Sequence, residues 1–523
     1  MERVELLDST LRDGAQGEGI SFSVSDKFKI AATLASIGVD LVEAGNPGSN
    51  PKDLEFFRRA GELGEDARRL CAFGPTRRKG VSAAADPGIS ATLAAGTPTV
   101  VIFGKSWDFH VREVLKASMD ENLAMIADTV RALRAEGRVV IYDAEHFFDG
   151  WTADPEYALE TLRAAAEAGA SRLVLCDTNG GSLPWRVMEV VRRVRSAVPV
   201  ALGIHAHDDA GLAVANSLAA LEAGATHLQG TIIGFGERCG NANLAVCAAG
   251  TTLKLGMKCL EEGALARLGK AARLVAEIAN VAFDESMPYL GRKAFAHKAG
   301  MHVDAVAKAP RTFEHVAPEM VGNARRFLAS EVGGRAALLD RIRVVDPTAG
   351  KDSLLAVEVL ARLKALEARG YQFEAAEASL ELLVRRAAGT HKPFFSLIDY
   401  QVFGERPAVD PARCSRAFVK IEVGGEEELA AAEGDGPVNA LDLGLRRALA
   451  RFYPSLQSMH LTDYKVRVLD DKDATAAAVR VLVESTDGES SWSTVGVSTD
   501  IIEASWLAIV DSIEYKLMRE KHR

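Results

Sequence analysis

Short apolar runs alternate with longer stretches of helical apolar spacing from the start of the chain to about residue 256. Eight short runs occur, at residues 4–7, 41–43, 70–73, 99–103, 139–142, 173–176, 201–204 and 228–233. The helical spacing between them is clear, for example, at residues 25–37, 120–136, 155–168 and 184–197. Eight strand–helix units in about 250 residues predict an α/β fold, a (β/α)₈ TIM barrel. The alternation by itself also allows a doubly wound sheet.

The pattern changes twice after the barrel. From about residue 257 to 385 helical stretches dominate, chiefly at 258–281, 353–369 and 374–388. Beyond about residue 390, strand-like alternation at 416–423, 464–469 and 478–484 mixes with helical stretches at 439–452 and 501–515. We therefore predict a barrel at residues 1–265, helical linker subdomains at 266–388 and a small α+β domain of two related halves at 389–523.

Composition excludes several classes of protein. The chain of 523 residues has a formal net charge of −10, and no cluster of Lys and Arg is dense enough for a nucleic-acid-binding face. The opening residues show no signal-peptide pattern, and no stretch has the uninterrupted apolar length of a membrane span. The six cysteines form no Cys-x-x-Cys pair, which fits reduced and mostly buried thiols. We expect a cytoplasmic protein without nucleic-acid or membrane partners.

Polar residues gather where six of the eight predicted strands end. These clusters lie at residues 8–16, 43–48, 143–146, 177–181, 205–209 and 234–242. A single cluster of this kind is an ordinary turn. Six of them on the carboxyl-terminal edge of a barrel predict a functional site, because barrel enzymes carry their chemistry on that face.

Two histidines, His205 and His207, follow the seventh predicted strand at positions i and i+2. Alternate side chains of an extended backbone share one face, so both imidazoles can reach one divalent metal ion. A His-x-His pair is nonetheless more often an ordinary polar feature than a ligand pair. Asp13 is the first candidate for a third ligand and Asn241 for a neutral oxygen ligand, a set that suits Mn²⁺, Mg²⁺ or Zn²⁺. Open positions would accept a substrate with adjacent carbonyl and carboxylate oxygens.

Other residues at the same edge have both catalytic and structural interpretations. Arg12 could stabilise negative charge that develops on a second substrate, or form a salt bridge to Glu43, and one role does not exclude the other. Thr178 and the backbone N–H groups of residues 179–181 could hold a carboxylate. Glu145 could act as an acid, a base or a group that orients water, or it could be a structural carboxylate.

Three motifs stand out, namely Arg12-Asp13-Gly14-x-Gln16, His205-x-His207 and Gly236-Glu237-Arg238-x-Gly240-Asn241-Ala242. Together they resemble those of the aldolase-barrel acyltransferases that include the isopropylmalate, homocitrate and citramalate synthases. The hydroxymethylglutaryl-CoA lyases are more distant relatives. The resemblance implies that Asp13, His205 and His207 bind the metal, with Asn241 beside it. It further implies that Arg12 is catalytic and that Thr178 binds a substrate carboxylate.

The resemblance also implies a substrate. Four segments are most similar to a bacterial group of citramalate synthases: residues 12–19, 103–107, 144–150 and 374–378. This implies condensation of acetyl-CoA with pyruvate, in the isoleucine branch of amino-acid biosynthesis. The substrate-binding residues would be Arg12, Gln16, Phe103, Asp143 and Thr178, with Glu145 among the catalytic residues. Asp143 departs from the family pattern, since many members carry an apolar or hydroxyl residue there.

The helical linker and the C-terminal domain extend the resemblance. His302, in the segment Ala299-Gly300-Met301-His302, is similar to a family histidine that acts in catalysis in trans. The stretch from Gly436 to Ala440 is similar to a signature of the family's regulatory domain, which implies a homodimer and a small amino-acid effector such as isoleucine. Three alternatives stay open: 2-oxoisovalerate as acceptor, as in isopropylmalate synthesis, a metal-dependent carbon–carbon lyase, and a non-catalytic amino-acid-binding protein.

Overall fold

The computed structural model describes residues 3–328, 334–350, 352–404, 415–469, 477–488 and 490–521. The chain divides into two compact units. The first unit contains the chain up to Phe295 together with Val316–Arg325, and the second contains Ala296–His315 and the chain from Arg326 onward. Within the part of the chain that is described, no helix is both long and apolar enough to cross a membrane.

Eight parallel strands form the centre of the first unit. They are β1 (Glu5–Asp8), β2 (Leu41–Gly45), β3 (Leu70–Pro75), β4 (Thr99–Lys105), β5 (Val139–Glu145), β6 (Arg172–Asp177), β7 (Ala201–Ala206) and β8 (His227–Gly230). Each strand pairs with the next in chain order, and β8 pairs with β1 from Glu5–His227 to Asp8–Gly230. This closure confirms the predicted (β/α)₈ barrel and excludes the doubly wound sheet, which has two open edges.

Helices cover the outside of the barrel. They are α1 (Val24–Ser36), α2 (Pro51–Arg58), α3 (Pro87–Ala94), α4 (Asp108–Glu113), α5 (Met119–Ala135), α6 (Phe147–Ala153), α7 (Pro155–Glu167), α8 (Pro184–Ala197), α9 (Ala213–Glu222), α10 (Leu244–Leu253) and α11 (Leu265–Ile278). Local sequence fixes several helix starts. At α1 the Ser23 hydroxyl accepts the Asp26 N–H while the Asp26 carboxylate accepts the Ser23 N–H, a reciprocal capping box.

Apolar side chains form two layers of the barrel. Strand residues that face the helices join the large outer core. Alternate strand residues form a separate cluster of Leu7, Cys71, Val101, Ile141, Val174 and Cys176. Because alternate residues of a strand point to opposite faces, this second cluster fills the barrel interior. The interior is therefore closed below the carboxyl-terminal edge, and the polar clusters at the strand ends lie above this layer.

The second unit combines helices with three small sheets. In chain order its elements are β9 (Ala296–His297), α12 (Gly300–Lys308), β10 (Arg326–Phe327), α13 (Gly334–Val345), α14 (Leu354–Ala368), α15 (Glu377–Ala387), β11 (Ser396–Gly404), β12 (Ser415–Val423), β13 (Glu426–Gly434), α16 (Pro437–Leu449), β14 (His460–Val468), β15 (Val479–Thr486), β16 (Ser491–Ser498) and α17 (Ile501–Lys521). The last eight elements repeat one arrangement, an antiparallel three-stranded sheet followed by a helix. This confirms the predicted α+β domain of two related halves.

The sequence does not predict β11, β13 or β16. The clearest case is β13, whose residues are mostly Glu and Ala, two types that are depleted in strands. It is a strand because it pairs with β12 along its whole length, from Ser415–Gly434 to Val423–Glu426. Tertiary pairing has therefore overridden local propensity at β13.

Candidate metal centre and active site

Asp13, His205 and His207 converge at the carboxyl-terminal edge of the barrel. Nε2 of His205 lies 3.2 Å from Oδ2 of Asp13, and Nε2 of His207 lies 3.8 Å from the same oxygen. The two Nε2 atoms are 3.4 Å apart, and all three residues are buried. For an ion about 2.1 Å from each ligand, neighbouring ligand atoms lie about 3.0–3.4 Å apart. Two of the three separations fall in this range, and the third, between His207 and Asp13, is about 0.4 Å wider, so a small movement of one side chain would bring all three atoms onto one divalent ion.

Asn241 completes this group. Its Nδ2 lies 3.2 Å from both Asp13 Oδ2 and His205 Nε2. Its Oδ1 is buried and has no hydrogen-bond partner among the described residues. A buried amide oxygen without a partner is costly unless something else binds it, and amide oxygens are ordinary ligands of hard divalent ions. As placed, however, the amide nitrogen faces Asp13 and His205, and the oxygen lies on the side of Gly236. The fit to the metal that the family resemblance implies is therefore carried by the carboxylate and the two imidazoles.

The glycines of the third motif place Asn241 in the site. Residues His207 and Asn241 form an isolated antiparallel bridge. A Cβ atom on Gly236 would lie 2.0 Å from Asn241 Oδ1, and one on Gly240 would lie 2.1 Å from the carbonyl oxygen of Gly234. Gly240 also has a φ of +93°, which favours glycine. The motif is therefore the backbone that brings Asn241 to the two histidines.

The local charges and burial favour the protonation states in which these side chains can bind a cation. Burial alone would raise the pKa of the Asp13 carboxyl, but the charge of Arg12 and the hydrogen bond from His205 outweigh it and hold that pKa well below its usual range. Burial lowers the pKa of His207 to about 4, with help from the charge of His205. Burial also acts to lower the pKa of His205, but Asp13 raises it above its ordinary value. The site therefore presents a carboxylate and a neutral imidazole, the forms that bind metal.

Arg12 is held by three contacts beside the metal-ligand candidates. Its Nε donates to Glu43 Oε2 at 2.6 Å, its Nη1 lies 3.3 Å from Asp13 Oδ2, and its guanidinium stacks 3.9 Å from the centroid of the Phe73 ring. Burial opposes its charge, but Glu43 and Asp13 raise the pKa of Arg12, so it is a permanent cation. The expected Arg12–Glu43 salt bridge is thus confirmed, and it fixes the orientation of the guanidinium plane.

A cavity of about 230 Å³ lies against Arg12, and Gln16 and Phe73 contribute to its wall. Phe103 stacks on Phe73 with ring centroids 5.1 Å apart and planes at 11°. The two rings form one aromatic layer next to the guanidinium. Ligand pockets for drug-sized molecules typically enclose about 300–1,000 Å³. The smaller volume here suits a small ligand or one end of a larger ligand.

Thr178 and Glu145 lie at neighbouring strand ends. The Thr178 hydroxyl accepts the backbone N–H of His146 at 2.8 Å, and its carbonyl accepts from Arg238 at 2.7 Å. Because that hydroxyl acts as an acceptor for His146, its proton can be donated to a ligand oxygen. Glu145 forms an ion pair with Lys105. This ion pair fixes the position of the Glu145 carboxylate.

Asp143 is as deeply buried as Asp13 and Asn241, with an exposed fraction of 3%. Its Oδ1 accepts the Nε2–H of Gln229 at 3.0 Å, and Gln229 Oε1 lies 2.8 Å from Nδ1 of His205. Burial and the charge of Glu43 raise the pKa of Asp143 to about 7. No motif in the sequence points to Gln229. The available signal is that His227 and Gln229 place two polar side chains on one face of an otherwise buried strand.

Comparison with known proteins covers the whole chain. The HMGL-like family model matches residues 3–275. The (R)-citramalate synthase of Synechocystis sp. is 51% identical over 98% of this chain and 96% of that chain. The (R)-citramalate synthase of Geobacter sulfurreducens is 47% identical over 100% of this chain and 99% of that chain. This chain belongs to the HMGL-like family of (R)-citramalate synthases. The resemblance that the three motifs implied is thereby confirmed.

Two further family models match most of the remaining chain. A model of the homocitrate synthase post-HMGL domain matches residues 289–370, and one of the LeuA allosteric (dimerisation) domain matches residues 374–517. The crystal structure of the HMG-CoA lyase from Brucella melitensis aligns with 54% of this chain and 100% of that chain, at 20% identity and a TM-score of 0.46. That weak structural likeness adds nothing to the assignment.

His302 belongs to the second unit and not to the group of side chains on the barrel. It lies on α12 and is exposed, and its ring lies 4.1 Å, between centroids, from that of Phe313. Its catalytic role in trans stays a prediction. Among the cysteines, Cys71, Cys176, Cys247 and Cys259 are buried free thiols and Cys239 is an exposed one. The sixth, at position 414, is outside the described residues.

Proposed function

We propose that this chain is an acyltransferase that condenses acetyl-CoA with pyruvate and water to give (R)-citramalate and CoA. The observation that carries the proposal is the Asp13–His205–His207 group beside Arg12, in a chain whose whole length matches (R)-citramalate synthases. In this Claisen reaction a methyl proton leaves the acetyl thioester, its carbon bonds to the keto carbon of pyruvate, and water then cleaves the thioester.

Asp13, His205 and His207 would hold a divalent metal, Mn²⁺, Mg²⁺ or Zn²⁺. The amide nitrogen of Asn241 faces these ligands, so its oxygen would become a fourth donor only if the amide turned by half a rotation. When bound, such an ion supplies Lewis acidity toward a carbonyl oxygen. The protein residues do the rest of the positioning. Thr178 has a hydroxyl proton available for the carboxylate of the 2-oxo acid, and Phe103 would limit the space for its side chain.

Arg12 would stabilise the negative charge that appears when the acetyl methyl group loses its proton. Its guanidinium is already fixed by Glu43 and by the Phe73 ring, so no reorganisation is needed when the charge develops. Preorganised donors of this kind typically contribute about 10²–10³ in kcat. Gln16 lies in the wall of the same cavity and would contact either substrate.

Two roles are assigned by family resemblance. The proposal gives His302 of the partner subunit a part in proton transfer, which requires a homodimer, and it gives Glu145 the orientation of the attacking water. The match to the LeuA allosteric (dimerisation) domain supports dimerisation and feedback by a small amino acid, with isoleucine as the proposed effector. We further propose that the enzyme acts in the isoleucine branch of amino-acid biosynthesis. We also propose that it is cytoplasmic. The proposed parts are the catalytic barrel at 1–265, the linker at 266–388 and the regulatory domain at 389–523.

Release of CoA, followed with a thiol reagent, tests this function. The purified protein receives acetyl-CoA with pyruvate or with 2-oxoisovalerate, in the presence of Mn²⁺ or Mg²⁺ and again with a chelator. Pyruvate-dependent release that the chelator removes, with (R)-citramalate as the product, supports the proposal. A preference for 2-oxoisovalerate would keep the chemistry and change the acceptor. If neither acid leads to CoA release and the protein cleaves a hydroxyacyl-CoA ester, the protein is a lyase instead.

A further inference from the structure

Three buried polar side chains form a hydrogen-bonded row across the barrel interior, behind the candidate metal site. Asp143 on β5, Gln229 on β8 and His205 on β7 are 3%, 0% and 5% exposed. Gln229 Nε2 donates to Asp143 Oδ1 at 3.0 Å, and Gln229 Oε1 lies 2.8 Å from His205 Nδ1. Side chains at this depth of a TIM barrel are usually apolar and branched. Other residues of the barrel interior, such as Leu7 and Val174, are apolar and branched, as this generalisation predicts.

The orientation of the Gln229 amide follows from its surroundings. An ionised carboxylate only accepts hydrogen bonds, so above its pKa of about 7 Asp143 requires the NH₂ group of Gln229 on its side, whereas the protonated carboxyl does not impose this orientation. On the other side, Glu5 Oε2 lies 2.8 Å from His227 Nδ1, which places a proton on that nitrogen. His227 Nε2 is then an acceptor, 3.4 Å from the Gln229 nitrogen. Two carboxylates therefore favour the same orientation of one amide.

The orientation of Gln229 in turn decides the tautomer of His205. With its NH₂ group directed to Asp143 and His227, Gln229 presents its carbonyl oxygen to His205 Nδ1. A carbonyl oxygen only accepts, so Nδ1 of the neutral imidazole must carry the proton and Nε2 must carry the lone pair. Nε2 is the atom that lies 3.2 Å from Asp13 and 3.4 Å from His207. The opposite amide orientation would favour a proton on Nε2 and would oppose metal binding.

We propose that Asp143 and Gln229 are positioning residues that set the proton of His205 on Nδ1 and so present its Nε2 lone pair to the metal. This inference rests on the metal role in the proposed function. It also gives the unusual residue Asp143 a role other than contact with the 2-oxo acid. Groups that orient the second nitrogen of a ligating histidine typically change metal affinity by about 10–100-fold when substituted.

Binding of Mn²⁺ to the full-length protein, measured by calorimetry after chelator treatment, tests the inference directly. Gln229→Leu removes the acceptor at Nδ1, and we expect Mn²⁺ to bind about 10–100-fold more weakly. Asp143→Asn allows both amide orientations, and we expect a loss near the lower end, about tenfold. The double variant Asp143→Asn with Gln229→Glu reverses the donor and acceptor. The new amide at position 143 would donate to a carboxylate that still accepts from His205 Nδ1, so affinity should return to within about threefold of the unsubstituted protein.

Asp8→Asn is the matched control. Asp8 is also a fully buried strand-end carboxylate, and burial raises its pKa to about 7, as for Asp143. It accepts from the N–H of Thr10 and makes no hydrogen bond to a described metal-ligand candidate. The affinity of this variant for Mn²⁺ should stay unchanged while its thermal midpoint reports the cost of losing a buried carboxylate.

Each outcome decides the question. Recovery in the double variant, with thermal midpoints of all variants near that of the control, supports the positioning role, because a purely structural role predicts no rescue. Equal affinity of Asp143→Asn and the unsubstituted protein overturns it, as does a double variant that binds no better than Asp143→Asn. If the unsubstituted protein binds no Mn²⁺ and releases no CoA, the proposed function itself fails.

Discussion

Two aspartates, the buried Asp13 in the barrel unit and the partly buried Asp511 in the second unit, show how a site differs from a structural contact. Asp511 accepts from Ser379 Oγ at 2.7 Å with one oxygen and from Arg386 Nη2 at 2.8 Å with the other. Asp13 has its cationic and amide neighbours, Arg12, His205, His207 and Asn241, at 3.2–3.8 Å from one oxygen. Close contacts satisfy Asp511, whereas the wider spacing around Asp13 matches atoms that share an ion.

The pKa values of the two aspartates are shifted in opposite directions. Burial raises the pKa of Asp511 even though Arg386 opposes the shift. At Asp13 the nearby positive charge of Arg12 and the histidines wins over burial, and its pKa falls. Excess positive potential around a buried carboxylate is typical of a functional site. The comparison predicts that substitutions at the barrel site change activity and those at Asp511 change stability.

The largest effect is expected from His207→Ala. This change removes one of three ligand atoms, and we expect pyruvate-dependent CoA release to fall by more than the roughly 100-fold that changes outside the ligand set cost. Bound metal, measured by elemental analysis after dialysis, should fall with it. The thermal midpoint of the chelator-treated variant, measured in parallel, separates the loss of a ligand atom from the cost of truncating a buried side chain. Unchanged metal content would contradict the assignment of His207 as a ligand.

Arg12→Lys tests the preorganised cation. Lysine keeps the charge but cannot hold Glu43 with one nitrogen while another points toward Asp13, since it has no planar fork. We expect kcat to fall by about 10²–10³, with Mn²⁺ affinity within about threefold of the unsubstituted protein because Asp13, His205 and His207 remain. A fall in metal affinity as large as the fall in kcat would show that Arg12 supports the metal ligands rather than the reacting charge.

The dependence of metal binding on pH is the next effect in size. Burial acts to lower the pKa of His205, but Asp13 raises it above 6.5, so the proton competes with metal at this imidazole already above that pH. Affinity for Mn²⁺ should therefore rise with pH through this range, by up to about tenfold per unit below the folded-state pKa. Calorimetry between about pH 6 and pH 8 brackets the ordinary histidine pKa and measures this rise. A flat profile would show that His205 is neutral throughout.

The smallest effect on activity is expected from Asp511→Ala. It leaves Ser379 and Arg386 without their acceptor, and loss of a buried hydrogen-bonded group typically costs about 1–3 kcal/mol of unfolding free energy. The lower part of this range is expected, because the Arg386 side chain is 41% exposed and its charge is screened by solvent. Denaturant unfolding measures the loss, and kcat at low temperature should stay unchanged. An equal loss of kcat would break the contrast between the two aspartates.

Local patterns in the sequence predict the barrel, which the structure confirms, and they also predict that Asp13, His205 and His207 lie together. That these residues bind a metal stays a prediction. His205 and His207 are two residues apart at a strand end, so their shared face follows from backbone geometry alone. Arg12 and Glu43 are 31 residues apart, but both follow strands at the same edge, which also makes their contact predictable. Candidate site residues can be predicted from the sequence because the carboxyl ends of the parallel strands meet at one edge of the barrel, which brings the residues that follow each strand together.

Contacts across the barrel interior are not visible in this way. Asp143 and Gln229 are 86 residues apart, and no local pattern says which interior side chains meet. For the same reason the sequence presents Asp143 as a residue of the substrate pocket, and the structure shows its contact with Gln229. The sequence does not predict β13 for a related reason. Its pairing with β12, and not its Glu-rich composition, makes it extended.

Closure of the barrel between β1 and β8 sets an order of events during synthesis. Glu5 and His227 hydrogen-bond across 222 residues, and Asp13 and Asn241 across 228. At roughly 5–20 residues per second, the ribosome needs roughly ten to forty-five seconds to make the intervening chain. During that time the first strand has an unpaired edge that other chains could pair with. The nascent half-barrel therefore keeps this strand edge exposed for that time, and the group of Asp13, His205, His207 and Asn241 can form only after residue 241 has left the ribosome.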